Sequence, residues 1–285
     1  MTTASDNPIG GPDEQMFLKY LSRHIVAICG SYIYLDDKEQ PTGAPKFYSY
    51  TGTIFEILGS WAIVTAGHVL RSIEAASKHP KMRIEGEVLV DYCGVGATSA
   101  QPIPFKPLEQ GWLYLDDDSL GLDFGLILVR PFFKASLQTN GIMPVTSRQW
   151  NFPNSVTFQQ HAIVGFPDEY TGGHASSSGA SMVGHIQPSY VPIRRLADDT
   201  IKTFVRFKGE IIDMGDQQSI KGMSGGPIFG FYKEGTDVKY LLEALQVEWD
   251  KSTIVYGCPI KTIMTVLQVR LQQYQQSQQG NATGT

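Results

Sequence analysis

Apolar residues in this chain recur mostly at every second position or in short continuous runs, a pattern that predicts strands. The first set of strand-like segments is 25–34, 47–57, 61–65, 83–92, 112–115 and 124–130. Within it, Gly52–Ile57 and Trp61–Thr65 flank Leu58-Gly59-Ser60, a connection short enough for a hairpin. A second set falls near 157–165, 180–188, 202–212, 226–232, 239–249 and 254–258. Helical spacing is confined to three places. Residues 13–24 put Phe17, Tyr20, Leu21 and His24 on one side, and a helical turn from His68 runs through Leu70, Ile73 and Ala76. Near the end, Ile263, Val266, Leu267, Arg270, Leu271 and Tyr274 repeat as one face of a helix. Residues 1–12 and 280–285 are expected to be loose, and 171–179, rich in Gly and Ser, to be a flexible loop beside any cleft. No repeat of 20–50 residues is found.

Set against this β-rich background, two short segments carry chemistry. Gly222-Met223-Ser224-Gly225-Gly226-Pro227 places a hydroxyl between glycines, where the backbone can turn tightly and approach a substrate. Thr65-Ala66-Gly67-His68 supplies a histidine. A serine hydroxyl is a weak nucleophile until a base takes its proton and backbone N–H groups receive the charge on the carbonyl oxygen. The pattern G-x-S-x-G also occurs in α/β-hydrolases, whose histidine follows the serine. Here the last histidine is His185, and none lies in the 61 residues after Ser224. An order of Asp, His, Ser could use Asp36 or Asp37, but that fold needs strands alternating with helices. The order His, Asp, Ser remains.

The acid in that order is Asp123, at the mouth of the apolar run Gly121–Val129. An acid so placed can orient a histidine and favour its protonated form. Asp116, Asp117 and Asp118 are rivals, although three acids in a row read as a solvated loop.

Thr65–Val69, Asp123–Ile127 and Gly222–Pro227 together resemble the three signature segments of trypsin/chymotrypsin-like serine peptidases, in that family's order. The disulfide-free bacterial branch that includes HtrA-type peptidases is the nearer likeness, over about residues 25–268. Val164-Gly165-Phe166-Pro167 and Tyr256-Gly257-Cys258-Pro259-Ile260 resemble that family's strand opening the second barrel and its last strand.

The resemblance implies an all-β fold of two six-stranded antiparallel barrels with short N- and C-terminal helices. The divisions would be 1–24, 25–135, 136–260 and 261–285, with 131–150 crossing between barrels. It also implies serine endopeptidase activity, with His68 as general base, Asp123 orienting it and Ser224 forming the acyl-enzyme. The N–H groups of Gly222 and Ser224 would form the oxyanion hole. By position, Gln218 would sit at the base of the specificity pocket, and Gln246, Val247, Glu248, Trp249 and Gly257 would wall it. The segment Gln246–Trp249 is also expected to pair with an extended substrate backbone. A neutral Gln218 does not imply a trypsin-like preference for basic residues. Met223 stands where zymogens of the secreted branch carry an Asp that pairs with a new N-terminus, so activity is expected in the uncut chain, under a regulatory partner or restricted access. The alternative is a peptidase-fold binding module without turnover.

Composition excludes several other classes. With 285 residues, 42% hydrophobic, the chain can build a sizeable core. A net charge of −5 gives no footprint for nucleic acid, and no run of 18 apolar residues suggests a membrane span. The start has no basic and apolar leader, and Cys29, Cys93 and Cys258 are an odd number without paired spacing, so a cytoplasmic, reducing setting is expected. Cys258 reads as a strand-end residue and not as a nucleophile. His24, His79, His161, His174 and His185 lack metal-ligand spacing, so neither metal nor cofactor is expected.

Overall fold

β-Branched and aromatic residues favour a pleated, half-buried surface, and they set the strands of both halves of the chain. The computed structural model describes residues 12–91, 102–170, 172–175 and 182–270. The first half contains α1 (Pro12–Ser22), β1 (Ile25–Tyr34), β2 (Lys46–Ile57), β3 (Ser60–Thr65), α2 (Gly67–Lys78) and β4 (Met82–Val90). It continues with β5 (Ile103–Pro104), β6 (Trp112–Asp117) and β7 (Leu122–Val129). These strands form one antiparallel sheet in the order β5-β4-β1-β2-β3-β7-β6.

Two helices, α3 (Pro131–Thr139) and α4 (Ser147–Trp150), occupy the crossover. The second half is β8 (Gln160–Gly165), β9 (Gly172–Ala175), β10 (Met182–His185), β11 (Ser189–Arg195), β12 (Phe207–Ile211), β13 (Pro227–Glu234), β14 (Asp237–Trp249) and β15 (Ile254–Pro259). Six of them close into a barrel, β11-β12-β15-β14-β13-β8, while β9 and β10 form a separate ribbon. A final helix, α5, runs over 260–270 and buries Ile260, Ile263, Met264 and Leu267. No described helix is long and apolar enough to cross a membrane.

The period of two decides which core each residue joins. On β8, Ile163 points into the closed barrel with Val191, Phe207, Ile228 and Ala244, while Ala162 and Val164 join a larger core. That larger core also holds Ile28, Phe55, Val64 and Phe124 of the first sheet, so it seals the sheet against the barrel. Cys29 and Cys258 are free, buried thiols, each pushed up to about 12 chiefly by burial. Cys93 lies outside the described residues.

The mostly β architecture agrees with the pattern of the sequence, and four details differ. The first set is a seven-stranded sheet, not six strands, the addition being the two-residue β5; among the described residues no ladder joins β5 to β6. The barrel strand expected over 180–188 is instead β10 of the ribbon, and its place in the barrel is taken by β11, whose Pro192 lacks a donor yet pairs with Ala162 of β8. The expected strand over 202–212 shrinks to β12. Residues ahead of it form a loop in which buried Asp199 accepts from the Arg206 guanidinium at 2.9 Å. Of the expected loop 171–179, residues 172–175 pair as β9 with β10, and the rest lies outside the described residues. Leu271 and Tyr274 also lie outside them.

Candidate active site

The buried strand β3 ends at Thr65, and Ala66 leads into α2, so His68 emerges in that helix's first turn. A Cβ on Gly67 would stand 2.1 Å from the Leu115 carbonyl oxygen, so only glycine lets α2 lie this close to β6. Asp123 opens β7 directly beneath. One carboxylate oxygen accepts the His68 backbone N–H at 2.9 Å, and the other meets Nδ1 at 2.7 Å. The acid thereby fixes the ring's position and its tautomer: with the proton on Nδ1, Nε2 carries the lone pair. Burial pulls the His68 pKa down, but the Asp123 hydrogen bond and charge outweigh it and leave the ring above its ordinary 6.5.

A second ion pair frames the first. Asp116 lies across from Asp123 in the β6–β7 ladder, and its carboxylate is 2.9 Å from Arg71 Nε, one helical turn after His68. Burial first, then the charge of Asp123, raises the Asp116 pKa. Of the three consecutive acids, then, Asp116 belongs to a strand and is mostly buried. Asp117 caps the following turn through Ser119 and Leu120, and Asp118 pairs with Lys202 at 2.9 Å.

The Gly222–Pro227 segment lies between β12 and β13 and is pinned from both halves of the molecule. Three buried threonines of the first sheet act as braces. Thr51 Oγ1 donates to Gly222 O at 3.0 Å and accepts the Phe166 N–H at 2.9 Å. Thr53 Oγ1 donates to Gly225 O at 2.8 Å, and Thr65 Oγ1 to Thr51 O at 2.7 Å. From the barrel, Gln246 accepts the Gly225 N–H at 2.7 Å and donates to Gly226 O at 2.9 Å. Gly222 and Gly225 both have φ of +91°, where a side chain is strained. A Cβ on Gly225 would also meet Thr51 O at 2.3 Å.

The result is a half-buried Ser224 at the tip of a rigid turn. Met223 donates its N–H to Ile220 O, whereas the N–H groups of Gly222 and Ser224 find no acceptor among the described residues. Two free donors beside a hydroxyl are what an oxyanion requires. The Ser224 hydroxyl itself makes no hydrogen bond to His68 here. Such bonds are often long before substrate binds.

The residues expected to line a specificity pocket divide. Gln218 is exposed, and its N–H donates to Glu169 at 2.9 Å. The buried amide of that loop belongs to Gln217, bonded to Ser189, Ser219 O and Met223 Sδ. Gln246 is buried, its side-chain oxygen without a partner among the described residues, and Val247 joins the larger core. Glu248 turns out to solvent and binds Arg206 at 2.6 Å, which removes it as a bare charge in a pocket. Trp249 packs on the barrel core and donates to Ser252 O. Gly257 faces Ile228 and Ala244 inside the barrel, not a cleft.

Sequence reasoning passed over the threonine braces, the Arg71–Asp116 pair and the Asp199–Arg206–Glu248 cluster. The only local signal for any of them is the Thr51-x-Thr53 alternation, which puts two hydroxyls on one face of β2.

No family model matches this chain, and no curated protein matches it. Solved structures do. A thermostable serine protease, AL20, from an extremophilic microorganism is 13% identical, with a TM-score of 0.40 over 84% of this chain and 91% of that one. The protease Anisep from Arthrobacter nicotinovorans is 14% identical, with a TM-score of 0.38 over 81% and 89%. The NS6 protease of murine norovirus 1 is 15% identical, with a TM-score of 0.32 over 72% and 88%.

Proposed function

We propose that this chain is a serine endopeptidase of the trypsin/chymotrypsin-like type, working through His68, Asp123 and Ser224. The two-point grip of Asp123 on His68 carries the reading: it leaves Nε2 as a base aimed away from the acid. In the reaction, Ser224 Oγ bonds to the scissile carbonyl carbon while its proton passes to His68 Nε2. Charge on the carbonyl oxygen is received by the N–H groups of Gly222 and Ser224. Collapse of the intermediate breaks the C–N bond, and His68 hands its proton to the departing amine. Water, deprotonated by the same ring, then releases the acyl group and restores the serine.

An extended polypeptide is the substrate that suits a strand-walled site, with Gln246–Trp249 offering backbone for pairing. Met223 is fully buried in the barrel core and uncharged, which supports activity in the uncut chain. Two buried free thiols support a reducing, cytoplasmic setting. No metal or cofactor enters these steps.

Labelling of the intact protein with a fluorophosphonate, followed by mass spectrometry, tests the reading. The expected adduct is on Ser224 and is absent in Ser224→Ala, which also loses amide turnover by about a millionfold. An unlabelled wild-type Ser224 would favour the other reading, a binding module whose hydroxyl and imidazole stay apart. Ester turnover without amide turnover would make it an esterase.

A further inference from the structure

Away from the triad, α1, α4 and the β13–β14 hairpin enclose a groove of about 790 Å³. Its polar lining is one-signed. Arg23, Arg148 and Lys239 border it, and no carboxylate does among the described lining residues, although the whole chain carries net charge −5. Arg148 makes no ion pair or hydrogen bond among the described residues, and Lys239 reaches only Asp237, at 3.5 Å. Arg23 is held in place: its guanidinium lies 3.7 Å from the centre of the Tyr20 ring and donates to Tyr240 OH at 3.0 Å. Tyr240 is anchored in turn by buried His24 at 2.7 Å. The groove therefore presents one pre-oriented guanidinium and two further cations beside exposed Met16 and Val238.

Four consecutive residues of β14, Val238 to Leu241, line the groove. Successive side chains of a strand point to opposite faces, so such a groove runs along the strand's edge. Among the described residues that edge has no ladder partner: β14 pairs with β13 throughout this stretch, but with β15 only from Ala244 onward, and α4 packs beside it.

We propose that this groove docks an extended, acidic segment of a partner polypeptide, one bearing an aromatic or large apolar side chain, which adds as a strand along β14. Backbone pairing would supply affinity and the cations specificity, since a guanidinium fork matches carboxylates. Hairpin strand β13 begins three residues after Ser224, so the docked segment would bear on the strand that carries the nucleophile turn.

The test uses full-length protein carrying Ser224→Ala, so that binding is read without cleavage and does not depend on the peptidase reading. Fluorescein-labelled dodecapeptides alternating Asp or Glu with Phe or Tyr are titrated by anisotropy, against copies with Lys in place of the acids. The acidic peptides are expected to bind and the Lys copies not. Arg148→Glu with Lys239→Glu should weaken binding by about tenfold or more, while Lys38→Glu changes nothing. Arg148 is exposed and Lys239 is half-buried with its side chain 44% accessible, so melting temperatures should stay close to the parent's. N-methylation at alternate peptide amides should also weaken binding. The proposal falls if no acidic peptide binds below about 100 µM, if the groove variant binds as the parent does, or if an oligonucleotide occupies the groove and the peptides do not.

Discussion

Asp123 does its work with two oxygens, and each can be removed from the argument separately. Asp123→Asn keeps size but leaves an amide that cannot both accept from Nδ1–H and hold the backbone N–H of His68. Turnover is expected to fall by about four orders of magnitude, because the ring loses its productive tautomer. The pH profile gives a finer reading. A base must be neutral, so kcat/KM rises as pH climbs through the His68 pKa, which lies above 6.5 in the folded protein. Asp116 raises that pKa and Arg71 lowers it. Arg71→Ala should therefore move the acid limb to higher pH, and Asp116→Asn to lower pH; shifts of the opposite sign would refute the framing role of this pair. The candidates Ser224, His68 and Asp123 stand out in the sequence because short glycine-rich words surround them, and the structure brings His68 and Asp123 into contact. Arg71 was not, because its meaning comes from a helical turn laid against β6. The pocket residues were the least legible: one position separates exposed Gln218 from buried Gln217, and a sequence offset cannot decide which way a loop amide points.

Among the elements, the residues just after α1 link the crossover to the barrel through one imidazole. His24 follows the helix, is almost wholly buried, and lies between the Met143 carbonyl at 2.8 Å and Tyr240 OH at 2.7 Å. Burial pushes its pKa down to about 4, against the pull of the Met143 carbonyl and with a smaller push from Arg23. The unfolded chain takes up that proton first, near 6.5. Stability is consequently lost as pH falls from 6.5 to about 4, amounting to about 3 kcal/mol, and the loss levels off below that. His24→Gln should cost stability at pH 7 yet flatten this acid slope in urea unfolding; an unchanged slope would remove His24 as its source. At this scale the sequence pattern was reliable wherever period and length agreed, as for β1, β2, β3 and β7. It failed at β11, where a barrel neighbour on each side retains a strand that contains proline. It also failed over 202–206, where Asp199 and Arg206 close a loop by an isolated antiparallel bridge and a buried side-chain ion pair instead of extending β12.

For the whole molecule, the decisive contacts are those by which one sheet holds the other half's Ser224 turn. Thr51 and Thr53 of β2 cross about 115 to 172 positions of sequence to reach Phe166, Gly222 and Gly225, and Thr65 of β3 binds the Thr51 carbonyl. No periodicity announces this, since threonine in a strand needs no further explanation. Thr51 is the joint with most at stake, because its hydroxyl both donates to the nucleophile turn and receives the N–H that follows β8. Thr51→Val preserves volume and strand propensity but orphans the buried Phe166 N–H, costing about 1–3 kcal/mol. Gly222 O keeps the Thr51 backbone N–H, so the turn stays tethered but loses one of its two restraints. The expected variant is folded, with a modestly lowered melting temperature and a fluorophosphonate labelling rate reduced by about tenfold or more. Thr265→Val, an exposed hydroxyl bonded within α5, serves as the matched control and should label at the parent rate. If Thr51→Val loses stability yet labels as fast as the parent, the braces serve folding alone, and the rigidity of the Ser224 turn must come from Gln246 and the barrel.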